Sequence, residues 1–185
     1  WADNIHSEAR QMKSLVEEML TLARADNAVP TAVMGEVSLS DLATDCVLAF
    51  EPVAFEAGKP LESDIPPDVT VTGDADKLRQ LIGVLLDNAI KFSAEGSTMG
   101  LSITAKGGKA HVAVRNHGDT IPPDELAMIF DRFHKSDKSR SVDREGVGLG
   151  LYIVKHIVEA HGGSIQARND HGLVFEIALP CAEVE

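Results

Sequence analysis

The stretch from Glu145 to Gly163 constrains this chain most tightly. It reads Glu-Gly-Val-Gly-Leu-Gly-Leu-Tyr-Ile-Val-Lys-His-Ile-Val-Glu-Ala-His-Gly-Gly. Gly146, Gly148 and Gly150 stand at alternate positions, and Leu151, Ile153, Val154, Ile157, Val158 and Ala160 follow at helical spacing. A glycine-rich turn therefore leads into a buried amphipathic helix, which Gly162 and Gly163 end. Glycines let a backbone pass close to a ligand. A helix N-terminus offers free N–H groups and a partial positive charge to phosphate. On these residues alone, a glycine hinge before a core helix stays open beside phosphate binding.

A length of 185 residues permits one large domain, or one domain with an appendage. The net charge of -12 excludes nucleic acid and anionic membrane as partners held by general electrostatics. It leaves room for a nucleotide, which a small local cluster of donors can hold. Cys46 and Cys181 lie far apart and give neither a disulfide framework nor a zinc spacing, which fits a reducing cytoplasm. No apolar run reaches membrane-spanning length, and no signal peptide is visible. The chain starts at Trp1 and is at once helical in pattern, so it reads as a fragment of something longer.

Residues 3–25 read as one helix. Ile5, Met12 and Met19, then Ala9, Val16 and Ala23, then Leu15 and Leu22 recur at heptad spacing. That broad stripe predicts packing in a helical bundle or a dimer. The polar break from Asp26 to Gly35 predicts a domain boundary. Beyond it, Val37 to Leu39 reads as a short strand, with Ser38 or Ser40 as the cap of a helix that Pro52 bends or ends early. Leu61 to Ile65 and Val69 to Thr72 alternate like strands.

Gly73 to Ser93 carries the strongest helical pattern, with Leu78, Leu81, Ile82, Leu85, Ala89 and Phe92 on one stripe. Val84, Asn88 and Lys91 form a row beside it. An amide oxygen can ligate a hard cation such as magnesium, and an ammonium can meet a phosphate. A plain polar helix edge is the alternative. Thr98 to Ala105 and Ala110 to Asn116 read as a hairpin turning at Gly107-Gly108. Pro122-Pro123 start a short helix from Asp124 to Phe130. The polar segment from Asp131 to Arg144 predicts a mobile lid. Ser164 to Arg168 and Leu173 to Leu179 read as a closing hairpin.

Four elements then stand in order: Asn88-Ala89-Ile90-Lys91-Phe92, Asn116-x-Gly118-x-x-Ile121, Phe130-x-x-Phe133, and Gly146-x-Gly148-Leu149-Gly150-Leu151. This pattern resembles the ATP-binding domain of bacterial sensor histidine kinases, within the Bergerat-fold ATPase superfamily. The four segments look like its N, G1, F and G2 boxes, and Gly172 looks like the remnant of G3. The resemblance covers residues 35–181, and residues 3–25 resemble the second helix of the dimerisation and histidine-phosphotransfer domain.

What the resemblance implies is an α/β two-layer sandwich, a mixed sheet with helices on one face, preceded by a bundle helix. The implied divisions are 1–27 for the bundle helix, 28–35 for a linker, 36–181 for the ATP-binding kinase domain with a lid at 131–147, and 182–185 for a tail. The implied cofactors are ATP and Mg2+. Asn88 would ligate magnesium, Lys91 would contact phosphates, and Phe92 would border the adenine pocket. Asn116 stands where the family usually has an aspartate that accepts from the adenine amino group; its amide oxygen would accept instead. Gly118 and Ile121 would line the base pocket, and Lys135 would reach the phosphates from the lid. Gly146, Gly148, Leu149, Gly150 and Leu151 would wrap the triphosphate with backbone N–H groups.

Thr120, Glu145 and Val84 depart from the family's usual residues. At the position of Val84 the hydrolytic members carry a water-activating glutamate, and a valine cannot be a general base. That favours phosphoryl transfer to a side chain over hydrolysis. The acceptor histidine of the family lies in a His-Glu-x-Arg-x-Pro-like motif, and none of the seven histidines here has that context. The chain is therefore expected to need an acceptor helix of its own parent or of a partner chain, and not to autophosphorylate alone. A response-regulator receiver domain and a homodimer through residues 3–25 are the other implied partners; nucleic acid is not one. The implied location is a cytoplasmic domain, with an inner-membrane anchor on the parent protein left open. A degenerate nucleotide-binding sensor or scaffold without turnover is the alternative function.

Overall fold

In a computed structural model, which describes residues 33–134 and 148–182, Ser38 ends one strand and begins a helix. Strand β1 (Gly35–Ser38) runs into α1 (Leu39–Glu56), and the Ser38 hydroxyl accepts from the Asp41 N–H at 3.2 Å. Ser40 lies inside the helix rather than at its cap. Its hydroxyl donates to the Pro66 carbonyl at 2.7 Å and accepts from the Val69 N–H at 3.0 Å, tying α1 to the loop beside it.

Pro52 does not end the helix early, because α1 continues to Glu56. A proline leaves the carbonyl four residues before it without its usual partner. Here that residue is Leu48, which is 61% exposed, so water meets the freed carbonyl at little cost.

Strands β2 (Leu61–Asp64) and β3 (Thr70–Gly73) do not pair with each other. β3 pairs antiparallel with β1, whereas β2 lies parallel to β4 (Met99–Lys106). Between β3 and β4 runs α2 (Ala75–Phe92). The Asp74 carboxylate caps it, accepting from the N–H groups of Asp76 and Lys77 at 3.0 and 3.1 Å. β5 (Lys109–His117), α3 (Pro123–Leu126), α4 (Gly150–Ala160), β6 (Ser164–Asn169) and β7 (Gly172–Pro180) follow. The helix expected over Asp124 to Phe130 thus shortens to α3, and a chain of turns replaces its second half.

The main sheet has the order β2-β4-β5-β7-β6, with all pairs antiparallel except β2 with β4. Its inward residues are those the alternation picks out: Leu101 and Ile103, Val112 and Val114, Phe175 and Ile177. They pack under Leu78, Leu81, Ile82 and Leu85 of α2, with α1 and α4 on either side of it. The other face carries Thr104, His111, Arg115, Gln166 and Arg168, all exposed. Helices on one face of a mixed sheet match the expected sandwich.

On that open face Arg168 meets Glu176 at 2.8 Å and Asp170 at 2.9 Å. Arg115 reaches Asp170 at 3.4 Å. The hydrogen bonds from Arg168 hold the Asp170 and Glu176 carboxyls below their ordinary range. Among the described residues no helix is long and apolar enough to cross a membrane. The bundle helix, residues 135–147 of the expected lid and residues 183–185 of the tail fall outside the described residues.

Candidate functional site

The last turn of α2 is stitched to the end of β5. Ser93 forms a β-bridge with Gly118, and the Ala94 N–H donates to the His117 carbonyl at 2.7 Å. A methyl group on Gly118 would lie 2.3 Å from the Phe92 carbonyl oxygen, so only glycine fits this approach. The sequence therefore folds the Asn88–Phe92 segment and the Asn116–Ile121 segment onto one another.

Asn88 is half-buried on α2, and Lys91 one turn on is exposed. The Lys91 ammonium lies 2.6 Å from the Asp87 carboxylate. An exposed pair of this spacing contributes about 0.3–0.5 kcal/mol, so a phosphate competes easily for the ammonium. Phe92 keeps 37% of its surface exposed at the rim.

Asn116 is 4% exposed at the end of β5, and its side-chain oxygen accepts from the Leu173 N–H at 2.9 Å. The oxygen expected to accept from adenine thus already accepts one backbone N–H and keeps a second lone pair. Two β-strand ends are locked together here a second time. Asn169, at the end of β6, accepts from the Ile121 N–H at 3.0 Å and donates to the Ile121 carbonyl at 2.7 Å. Its amide imitates a neighbouring strand and fixes the segment that follows Gly118.

The glycine run meets these pieces at the start of α4. Gly148 has φ +79°, and its carbonyl accepts from the Phe133 N–H at 3.0 Å. A methyl group there would lie 2.6 Å from the His134 carbonyl oxygen. Phe130 anchors the same turn in the core, edge-on to Phe175 with ring centroids 6.2 Å apart. Leu149 is fully buried and no side chain caps α4. A methyl on Gly150 would meet Val84 of α2 at 3.1 Å. The uncapped N-terminus of α4 therefore abuts α2 one turn before Asn88, with Leu151 in its first turn. Val84 is apolar, partly buried and packed against the start of α4. Lys135 and Gly146 lie outside the described residues.

Arg132 stacks over the Phe133 ring at 4.9 Å. Among the described residues no three His, Cys, Asp or Glu side chains gather to hold a metal. Sequence reasoning missed Asn169 and Ser93. The Ser93 hydroxyl is buried beside Gly118 without a hydrogen-bond partner. A serine closing a helix carries no signal of that kind, and the partner of Asn169 lies 48 residues away.

A family model described as histidine kinase-, DNA gyrase B- and HSP90-like ATPase matches residues 73–183, more than half of the chain. The sensor protein VanS of Enterococcus faecium is 33% identical over 174 residues, which cover 94% of this chain and 45% of that protein. The chain thus spans less than half the length of the curated relatives it matches. The structure of full-length ShkA in complex with AMPPNP is similar with a TM-score of 0.82 at 28% identity, over 96% of this chain and 37% of that one. The histidine kinase ThkA in complex with the response regulator TrrA gives 0.78 at 24% identity over 97% and 50%, a likeness of fold. With residues 73–183 matching its model, the chain belongs to the histidine kinase-, DNA gyrase B- and HSP90-like ATPase family, whose fold is the Bergerat fold.

Proposed function

We propose that this chain is the ATP- and magnesium-binding kinase core of a two-component sensor histidine kinase. One observation carries the reading: the uncapped N-terminus of α4 abuts α2 at Val84, beside Asn88. Backbone N–H groups from Gly148 to Leu151 would hold the triphosphate, with Gly146 and Lys135 completing its enclosure. Lys91 would exchange Asp87 for phosphate. Phe92, Gly118 and Ile121 would enclose the base, with Asn116 at its edge. Asn88 would hold magnesium, which when bound neutralises charge on the phosphates.

The γ-phosphoryl group would leave ADP for a histidine nitrogen on an acceptor helix, then pass to an aspartate of a response regulator. A fold relative bound to a response regulator supports that partner. Positioning and charge neutralisation are the protein's part in such a transfer. An apolar Val84 leaves no base to activate water there, which favours transfer over hydrolysis. Residues 1–27 would be a bundle helix that dimerises, 28–35 a linker and 36–181 the kinase domain.

A calorimetric titration with ATP, with and without magnesium, tests the site alongside Asn88→Ala. Magnesium-dependent binding that the substitution abolishes is expected. No binding at millimolar nucleotide overturns the reading. With γ-labelled ATP, label should reach a histidine-bearing acceptor bundle supplied separately and none should stay on this chain. An acceptor that stays unlabelled despite tight ATP binding favours a nucleotide sensor without turnover.

A further inference from the structure

The stitch between α2 and β5 leaves a gap inside the helix. In an unbroken helix the Ala94 N–H would meet the Ile90 carbonyl, four residues back. It donates to the His117 carbonyl at 2.7 Å instead. Ile90 thus loses its helical donor in the turn between Asn88 and Phe92. The Lys59 ammonium supplies another, donating to the Ile90 carbonyl at 2.5 Å. Both residues are partly buried, so water reaches that carbonyl only in part once the bond is lost. A cation at this place also meets the negative end of the α2 dipole. Lys59 is itself held from both sides. Its N–H donates to the Ala54 carbonyl at 2.9 Å, after Gly58 at φ +66°, which closes α1 in a Schellman motif. The carbonyl of the next residue, Pro60, accepts from the Met99 N–H at 2.8 Å.

Resting on the nucleotide-binding reading, we infer that Lys59 is a positioning residue for the nucleotide. Through the Ile90 carbonyl it holds the last turn of α2, with Asn88, Lys91 and Phe92, while that turn is stitched to β5. It acts through the helix and not on the ligand. Without the ammonium, Ile90 regains a helical donor only if the Ala94 N–H leaves His117. That exchange would draw the Asn88–Phe92 segment away from the Asn116–Ile121 segment. Lys59 therefore favours the arrangement in which the two segments lie together, and a ligand held by both favours the Lys59 bond in return.

The test is a titration with ATP and magnesium of the unaltered chain, Lys59→Met and Lys59→Arg, each beside a urea unfolding curve. Methionine keeps much of the apolar stem and removes the donor, whereas arginine keeps donor and charge. ATP should bind Lys59→Met about fivefold more weakly or worse, and Lys59→Arg should recover most of that loss. The loss should be as large at high salt as at low, because a bond to a carbonyl is not screened and attraction through space to a polyanion is. A Lys59→Met chain that unfolds earlier in urea yet binds ATP within about twofold of the unaltered chain overturns the inference and leaves a purely structural brace. A loss that vanishes at high salt overturns it too. Where the methionine variant does not fold, the unaltered chain decides: exchange of the Lys59 ammonium protons with water should slow when ATP binds, and an unchanged rate overturns the inference. Failure of the unaltered chain to bind ATP overturns the nucleotide-binding reading, and this inference with it.

Discussion

Asn169 offers the sharpest separation of positioning from bulk. Alanine at this site removes the bond accepted from the Ile121 N–H, at 3.0 Å, and the one donated to its carbonyl, at 2.7 Å. Both are neutral, and each contributes about 0.5–1.5 kcal/mol net, so the pair is worth about 1–3 kcal/mol. Ile121 and Asn169 are only half-buried, so water replaces part of what is lost. That places Asn169→Ala at the lower end, about 1–2 kcal/mol. Urea unfolding should show the loss as a lower midpoint at unchanged slope. Asn169→Asp keeps the acceptor but aims a carboxylate oxygen at the Ile121 carbonyl, and it should be no milder than alanine. ATP affinity should fall in both variants, while binding of tripolyphosphate, which has no base to enclose, should hold. An alanine variant within about 0.3 kcal/mol of the parent, with unchanged ATP affinity, would refute the clamp.

Two further expectations concern parts of the fold away from the nucleotide. His161 is 6% exposed; its Nε2 accepts from the Asp74 N–H at 3.0 Å, and its Nδ1 donates to the Ile157 carbonyl at 2.7 Å. The ring thus braces the start of α2 against the end of α4, and His161→Ala should cost about 2–4 kcal/mol, read by thermal unfolding. Asp170 and Glu176 are held below the ordinary carboxylate range by Arg168. Their contribution is therefore present above the unfolded value of about 4 and disappears as pH falls through the lower folded values. Arg168→Ala should flatten the loss of stability in that acidic window, measured by urea unfolding at stepped pH.

Local chemistry was legible where the partner is near in sequence. The stripe of Leu78, Leu81, Ile82 and Leu85 announces α2, and Gly107-Gly108 announces the turn between β4 and β5. The order of the boxes announced the fold, because each box is a short stretch with its own turn or helix signal. Pro52 misled because its effect depends on which side of the helix meets water. The parallel pairing of β2 with β4 spans a whole strand and helix between them, and nothing within either strand specifies it. Asn116 was recognised as a departure, yet the use of its oxygen depends on Leu173, 57 residues away. His161 likewise looks like the tail of a helix until Asp74, 87 residues distant, is brought beside it.

Strand β3 has a mechanical consequence. Ser38 of β1 pairs with Thr70 on one side, while Cys181 bridges Val71 and the Ala182 N–H donates to the Thr70 carbonyl. Residues near both ends of the described part are thus fastened to one short strand. That strand runs through Gly73 into Asp74 and α2, the helix that carries Asn88 and Lys91. Tension applied at either end therefore enters the same splice, and the rod it leads to is the one that carries Asn88 and Lys91. Displacement upstream and displacement downstream arrive at α2 along one line of load.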